Sequence, residues 1–382
     1  MTWRERRVAD LAELVNGHPF ESADFADEGA VPLVRIRDIL SKPFQTFVSR
    51  EVVPEAAVVR DGDVVVGMDG DFNLVYWTRG PAALNQRLCL LRSNGQADTR
   101  FLAYALPSHL KVINDLTYST TVKHLASGQV RGIKMLAPDV SEQRAIADYL
   151  DRETARIDAL IEEQQRLIKM LELRKRAVLD EVTTAAEGER IRLKYLFAPS
   201  SDSNHPEEQV LSVYRDFGVI QKSSRSDNFN RTPENVERYL LVQPGDVVIN
   251  RMKAWQGSLG VSDHRGIVSG DYEVIRPTNS RLRPKFAHLY LRSPRLIAEY
   301  ALRSKGIRPS QWRLYWDEMG NIEIPVPSPE NQDSIVERAE KQIAHIDSLI
   351  AETERFIELA RERRSALITA AVTGQIDVRA AA

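Results

Sequence analysis

SEQRAIADYLDRETARIDALIEEQQRLIKMLELRKRAVLDEVTTAA, residues 141 to 186, is the stretch from which the rest of the chain is best read. It contains no Pro and no Gly and is rich in Ala, Leu, Glu, Gln, Lys and Arg, the strong helix formers. Ile146, Leu150, Ile157, Leu160, Leu167, Leu171 and Val178 succeed one another at steps of three, four and seven. That is the heptad stripe of a coiled-coil seam. One unbroken helix here is roughly 65–70 Å long. A globular core needs much less, so the stretch predicts a strut.

The helix occurs twice. From Pro329 the chain reads PENQDSIVERAEKQIAHIDSLIAETERFIELARERRSALITAAVTG, and adding 189 to each number superposes the copies. Gln143 falls on Gln332, Ile157-Asp158 on Ile346-Asp347, Leu160-Ile161 on Leu349-Ile350 and Arg174 on Arg363. The entries repeat as well: Ala137-Pro138 and Ser141 correspond to Val326-Pro327 and the turn Ser328-Pro329-Glu330. Two long helices of one pattern, each after a globular stretch of similar length, make a tandem duplication. Two copies give a pseudo-two-fold object and not a solenoid.

The globular stretches share a frame. In residues 1–140, Pro32–Ile39 alternates like a strand, and Asp61-Gly62-Asp63 turns into the β-branched run Val64-Val65-Val66. A polar loop Asp69–Asn73, strand-like Leu74–Trp77, a short helix near Phe101 and a polar loop Tyr118–His124 follow. After Gly188 the scheme restarts: Gly245-Asp246-Val247-Val248 echoes the turn and strand, and Phe286–Leu291 echoes the short helix. The loops differ, Arg251–Ser258 standing where Asp69–Asn73 stood and Lys305–Arg313 where Tyr118–His124 stood. One scaffold carrying two different readers has this form. Many short strands with few helices predict α+β domains on mixed or antiparallel sheets.

Composition narrows the class. The 382 residues are 43% hydrophobic and 28% charged, as in a soluble chain of more than one domain. There is no run of 18 apolar residues, and MTWRERRVADL lacks the apolar core of a signal peptide, which predicts no membrane segment. The single Cys89 excludes an internal disulfide and fits a reducing cytoplasm. The seven histidines show no metal-ligand spacing, so neither metal nor cofactor is expected. Asp63, Asp69 and Asp71 read as turn chemistry beside Gly.

Net charge is only −2, but its distribution is uneven. Between Arg251 and Arg313 the acids are only Asp263, Asp271, Glu273 and Glu299, against thirteen bases, an excess that suits phosphate binding. The DNA-facing residues predicted in the second stretch are Arg251, Lys253, Trp255, Gln256, Lys305, Arg308, Ser310, Gln311 and Arg313. The tryptophans taken singly read as packing residues. Those predicted in the first stretch are Arg35, Arg37, Asp71, Asn73, Asn85, Arg87, Thr121, Lys123 and His124, with Arg79 adding to its basic character. Asn85-Gln86 suits adenine, although amides at a loop end also cap backbone groups.

These residues resemble the specificity (S) subunit of type I restriction–modification enzymes over nearly the whole chain. The strut openings SEQRAIADYLDRETARIDALI and PENQDSIVERAEKQIAHIDSLI look like that family's conserved helical regions. Asn250–Gly260 and Thr121-Val122-Lys123-His124-Leu125 are similar to stretches of its target-recognition domains. The second helix departs at Asn331, where the first has Glu142.

The resemblance implies two target-recognition domains, at 1–140 and 188–328, separated by antiparallel coiled-coil helices at 141–187 and 329–375, with a tail at 376–382. Each domain reads half of a bipartite site on double-stranded DNA. Two methyltransferase (modification) subunits dock on the helices, optionally joined by a motor-nuclease (restriction) subunit. Ile161, Ile168, Ile350 and Ile357 lie one position beyond the expected seam residues and are the predicted partner face.

Catalysis within this chain is not expected. No G-x-x-x-x-G-K-[ST] or G-x-G-x-x-G motif is present, nor an Asn/Asp-Pro-Pro-aromatic motif of amino-methyltransferases. The alternative from another class is a non-catalytic coiled-coil protein with two protein-binding heads, which salt-dependent DNA binding distinguishes.

Overall fold

The computed structural model describes residues 3–26, 31–40, 43–117, 122–215, 217–224, 232–233, 235–308 and 311–378. Two compact units emerge: Met1–Glu163 with Phe356–Ala382, and Gln164–Arg355. The helices are α1 (Val8–Leu11), α2 (Thr99–Leu116), α3 (Ser127–Gly132), α4 (Val140–Ala185), α5 (Pro284–Leu291), α6 (Pro294–Arg303), α7 (Trp316–Met319) and α8 (Pro329–Val372). Each unit therefore contains a globular head and half of each long helix.

In the first unit, Ala12–Asn16, Leu88–Ser93, Val64–Gly67 and Leu74–Tyr76 form an antiparallel sheet in that spatial order. A second, five-stranded sheet contains the parallel pair Val31–Val34 and Ala82–Leu84, so the head is mixed as expected. The strand predicted across Pro32–Ile39 stops at Val34. Asp38 is buried and accepts from the backbone and Nε of Arg35, at 3.2 and 2.9 Å, which closes the chain into a 3-10 turn over Ile36–Asp38. The helix predicted near Phe101 is longer than expected, extending to Leu116.

The second unit repeats the frame. Phe197–Pro199, Tyr272–Pro277, Val247–Asn250 and Leu259–Val261 occupy the same sheet order. Ribbons Arg4–Arg7 with Lys134–Ala137, and Glu189–Arg192 with Glu323–Val326, close each head next to its long helix. A buried aspartate fixes the equivalent turn in both. Asp63 accepts from the Arg60 amide and Arg92, as Asp246 does from the Gln243 amide and Arg276. Turn chemistry thus accounts for Asp63.

A glutamine joins head to helix in each unit. Gln143 accepts from the Asp98 amide and donates to Pro138 O. Its repeat mate Gln332 accepts from the Arg283 amide and donates to Arg281 O and Pro327 O. Helix entry differs where the sequences differ. Asp139 caps the Glu142 amide in α4, whereas Ser328 caps Asn331 in α8.

The helix halves run antiparallel inside each unit. Arg364 pairs with Asp158 in the first, and Lys175 pairs with Asp347 in the second. These are the same contact made twice, because 189 added to 158 and 175 gives 347 and 364. The first unit's seam includes Ile146, Leu150 and Ala371. The second includes Leu171, Val178, Val182, Ile335, Ala339 and Ile346.

The expected heptad phase is corrected by one residue. Leu160 and Leu167 are exposed, at 38% and 40%, as is Phe356 at 43%. Ile357 is buried at 6% exposure, Ile350 packs on the second unit's core, and Ile161 and Ile168 are half-buried. Adjacent apolar pairs made both phases available. The alternation of three and four through Ile157, Ile161, Gln164, Ile168, Leu171, Lys175 and Val178 keeps one face inward, and Leu160 and Leu167 fall off it. The four isoleucines assigned to partners therefore belong to the seam side.

Candidate nucleic-acid interface

In the first unit, loop 69–73 meets the chain at 122–124. Gly70 donates its amide to Lys123 O at 3.0 Å, and the Leu125 amide donates to Met68 O at 2.7 Å. Between them Asp69 binds His124 Nδ1 at 2.7 Å and Arg87 at 2.5 Å. Burial pushes the Asp69 carboxyl upward, but the His124 and Arg87 hydrogen bonds and charges hold it below the usual carboxylate range. Phe72 adopts a left-handed backbone, φ +52°, uncommon outside Gly, and its ring is buried. Asp71 and Asn73 on either side stand exposed. Lys123 is tied to Asn114 O and Oδ1 at the end of α2.

Not every predicted basic residue faces outward. Arg35 is committed to Asp38. Arg79 lies over the rings of Phe44 and Trp77, at 4.7 and 4.2 Å, and donates to Asp38 O and Ile39 O, a packing role. Arg37, by contrast, is exposed on the 3-10 turn. Asn85 is half-buried and accepts from the Arg87 amide, the capping role open to an amide. Thr121 lies outside the described residues, as does Ser310 in the second unit.

In the second unit the two predicted loops also converge. Lys305 and Arg313 exchange backbone hydrogen bonds of 3.0 and 2.9 Å, and the Leu314 amide donates to Arg251 O. The rings of Trp255 and Trp312 meet edge to face, centroids 5.4 Å apart, and bind one loop to the other. Trp255, half-buried, donates to Met252 O at 3.0 Å. Gly257 has φ +92°, and a side chain there would strike Ile297, so the turn requires Gly.

Most of the second stretch's basic excess is neutralised by acids from elsewhere in the chain. Arg265 pairs with Glu208, Arg276 with Asp246, Arg281 with Glu189, Arg283 with Asp333, and Lys285 with Glu340. Lys305 pairs with Glu318, and Arg251 with Glu273. Among the described residues, Lys253, Arg308 and Arg313 have no ion pair. They sit on the converging loops with Gln256 and the exposed Gln311.

Sequence reasoning missed Asp69 as an organiser and Asn114 as an anchor. Nothing local links Asp69 to His124, 55 positions away. Among the described residues there is no cluster of potential metal ligands and no helix long and apolar enough to cross a membrane.

Two α+β heads on duplicated long helices each present a different polar loop pair. Residues 1–170 match the family model of the type I restriction modification DNA specificity domain. The chain is 27% identical to the type I restriction enzyme EcoBI specificity subunit of Escherichia coli, over 98% of this chain and 86% of that one. Its fold resembles a chain from a structural study of complex assembly and conformational transition of the type I R-M system. That likeness has TM-score 0.74 and 17% identity over 98% of both chains. The HsdS subunit from Thermoanaerobacter tengcongensis is also similar, with TM-score 0.56 and 18% identity, over 98% of this chain and 97% of that one. The chain thus resembles type I restriction–modification specificity subunits, in sequence over residues 1–170 and in fold over nearly its whole length.

Proposed function

We propose that each unit reads one half of a bipartite DNA target, while partner subunits carry out the chemistry. The observation that carries this reading is the repeated frame with unlike loops. Loops 69–73 and 122–124 stand in one head where 251–258 and 305–313 stand in the other. The same backbone therefore offers two different sets of side chains to base edges. In the first unit the readers are Asp71, Asn73, Arg87, Lys123 and His124. In the second they are Lys253, Gln256, Arg308, Gln311 and Arg313.

Two modification subunits dock on the long helices through residues other than those first expected. Leu167 and Met170 are exposed three positions apart on α4, and their repeat mates Phe356 and Leu359 are exposed likewise on α8. One such pair in each unit suits two copies of one partner. Methylome sequencing of a host carrying this chain and its modification subunit tests the readers. Two short specified blocks around an unread spacer are expected, with Gln311→Ala altering one block only. An effect of that variant on both blocks refutes two independent readers. DNA binding unaffected by salt favours the protein-binding alternative.

A further inference from the structure

Ile307 is 95% exposed, the largest exposure recorded for a large apolar side chain among the described residues. A side chain so placed adds nothing to a core, and a loop tip in water favours polar residues. Its surroundings are specific. Lys305 and Arg313 close the stem beneath it, and the Gln311 amide donates to Arg308 O at 2.8 Å. Gly306 presses so closely on the backbone of Gln311 and Trp312 that a Cβ would lie 2.6 Å from Gln311 O. Arg308 follows the isoleucine and Arg313 stands at the stem, both without an ion pair among the described residues.

The other unit also exposes an aliphatic side chain beside a base, Val122 before Lys123. The Asp98 amide bound by Gln143 and the Arg283 amide bound by Gln332 are 185 positions apart, as are Phe101 and Phe286. Past the helix the offset becomes 189, the Leu125 amide donating to Met68 O as the Leu314 amide does to Arg251 O, so Val122 and Ile307 lie in corresponding loops without being repeat mates. Val122 is 62% exposed. Two loops that share little else thus both present a β-branched aliphatic followed by a base.

We propose that Ile307 determines specificity by packing on the C5-methyl group of a thymine in the major groove, and that Val122 does so in the other half-site. This rests on the two-reader assignment above. The flanking cations bring the tip onto phosphates, whereas the aliphatic group has no hydrogen bond to offer and discriminates by shape and apolarity. The thymine methyl is the apolar feature that distinguishes a base pair's major-groove edge. A stiff β-branched side chain loses little rotamer freedom on packing against it.

The test uses the full chain with its modification subunit and duplexes of the methylome-defined target. Each thymine of the half-site altered by Gln311→Ala is replaced in turn by uracil, which removes only the methyl group. At one position, binding by the unaltered chain is expected to weaken about fourfold, the worth of one buried methyl-sized group. Ile307→Ala is expected to bind the thymine duplex more weakly, to show no thymine–uracil difference there, and to keep its melting temperature. Ile307→Val should retain part of the discrimination. If Ile307→Ala still distinguishes thymine from uracil at every position, or if no position responds in the unaltered chain, the proposal is overturned while the two-reader assignment stands. Absence of any sequence preference in the unaltered chain overturns both.

Discussion

Replacing Gln332 by alanine tests how the second head is held to its helix. The side chain is fully buried and makes three hydrogen bonds of 2.8 Å, one accepted from the Arg283 amide and two donated to Arg281 O and Pro327 O. A net hydrogen bond contributes about 0.5–1.5 kcal/mol, and an orphaned buried group costs about 1–3 kcal/mol. Arg281 and Arg283 are exposed residues, so water reaches part of what is left behind. The local cost is therefore about 2–4 kcal/mol. The readout is amide hydrogen exchange, which resolves each unit separately and needs no two-state unfolding. Protection of the Arg283 amide and the first turn of α5 should fall about thirty- to several-hundredfold, since 1.4 kcal/mol is tenfold. Gln143→Ala, with two bonds recorded in place of three, should loosen the start of α2 by less. A fall of less than fivefold after Gln332→Ala would refute the tether. Equal loss of protection around Asp98 would refute its local character.

The corrected heptad phase predicts that Ile357→Asp lowers the melting temperature by several degrees, whereas Phe356→Asp leaves it unchanged and weakens co-purification with the modification subunit. Similar melting of the two variants would restore the original phase. Burial, followed by Arg292, depresses the His288 pKa to about 4 from the ordinary 6.5. Between these values the unfolded chain binds the extra proton. Stability from neutral His288 is thus complete above about pH 6.5 and is lost as pH falls towards 4, by roughly 3 kcal/mol at most. Urea titrations should show that slope, and His288→Gln should flatten it. Lys253→Ala should weaken binding to all sequences alike and reduce the salt-dependence slope by about one, as measured by fluorescence anisotropy. Loss confined to one base pair would make Lys253 a base reader instead.

The duplication, both long helices, the repeated Asp63 and Asp246 turns and the loop positions were legible in the sequence because each is a local pattern. Helix propensity, a Gly-Asp turn and a β-branched run act over a few residues, so copies betray themselves by spacing. The seam phase was not legible. Leu160-Ile161 and Leu167-Ile168 offer equally apolar choices about 100° apart, and packing within the folded units selects between them. Charge was misread for the same reason. The bases from Arg251 to Arg313 form an excess only in sequence, because Glu208, Asp246, Glu189, Asp333 and Glu340 approach them from outside that window. Likewise Asp69 joins His124 and Arg87 only once the sheet and α2 bring three distant segments together. Short-range propensity specified the elements and their repetition, whereas burial and ion pairing, which depend on residues far apart in the chain, decided which side chains the loops leave exposed.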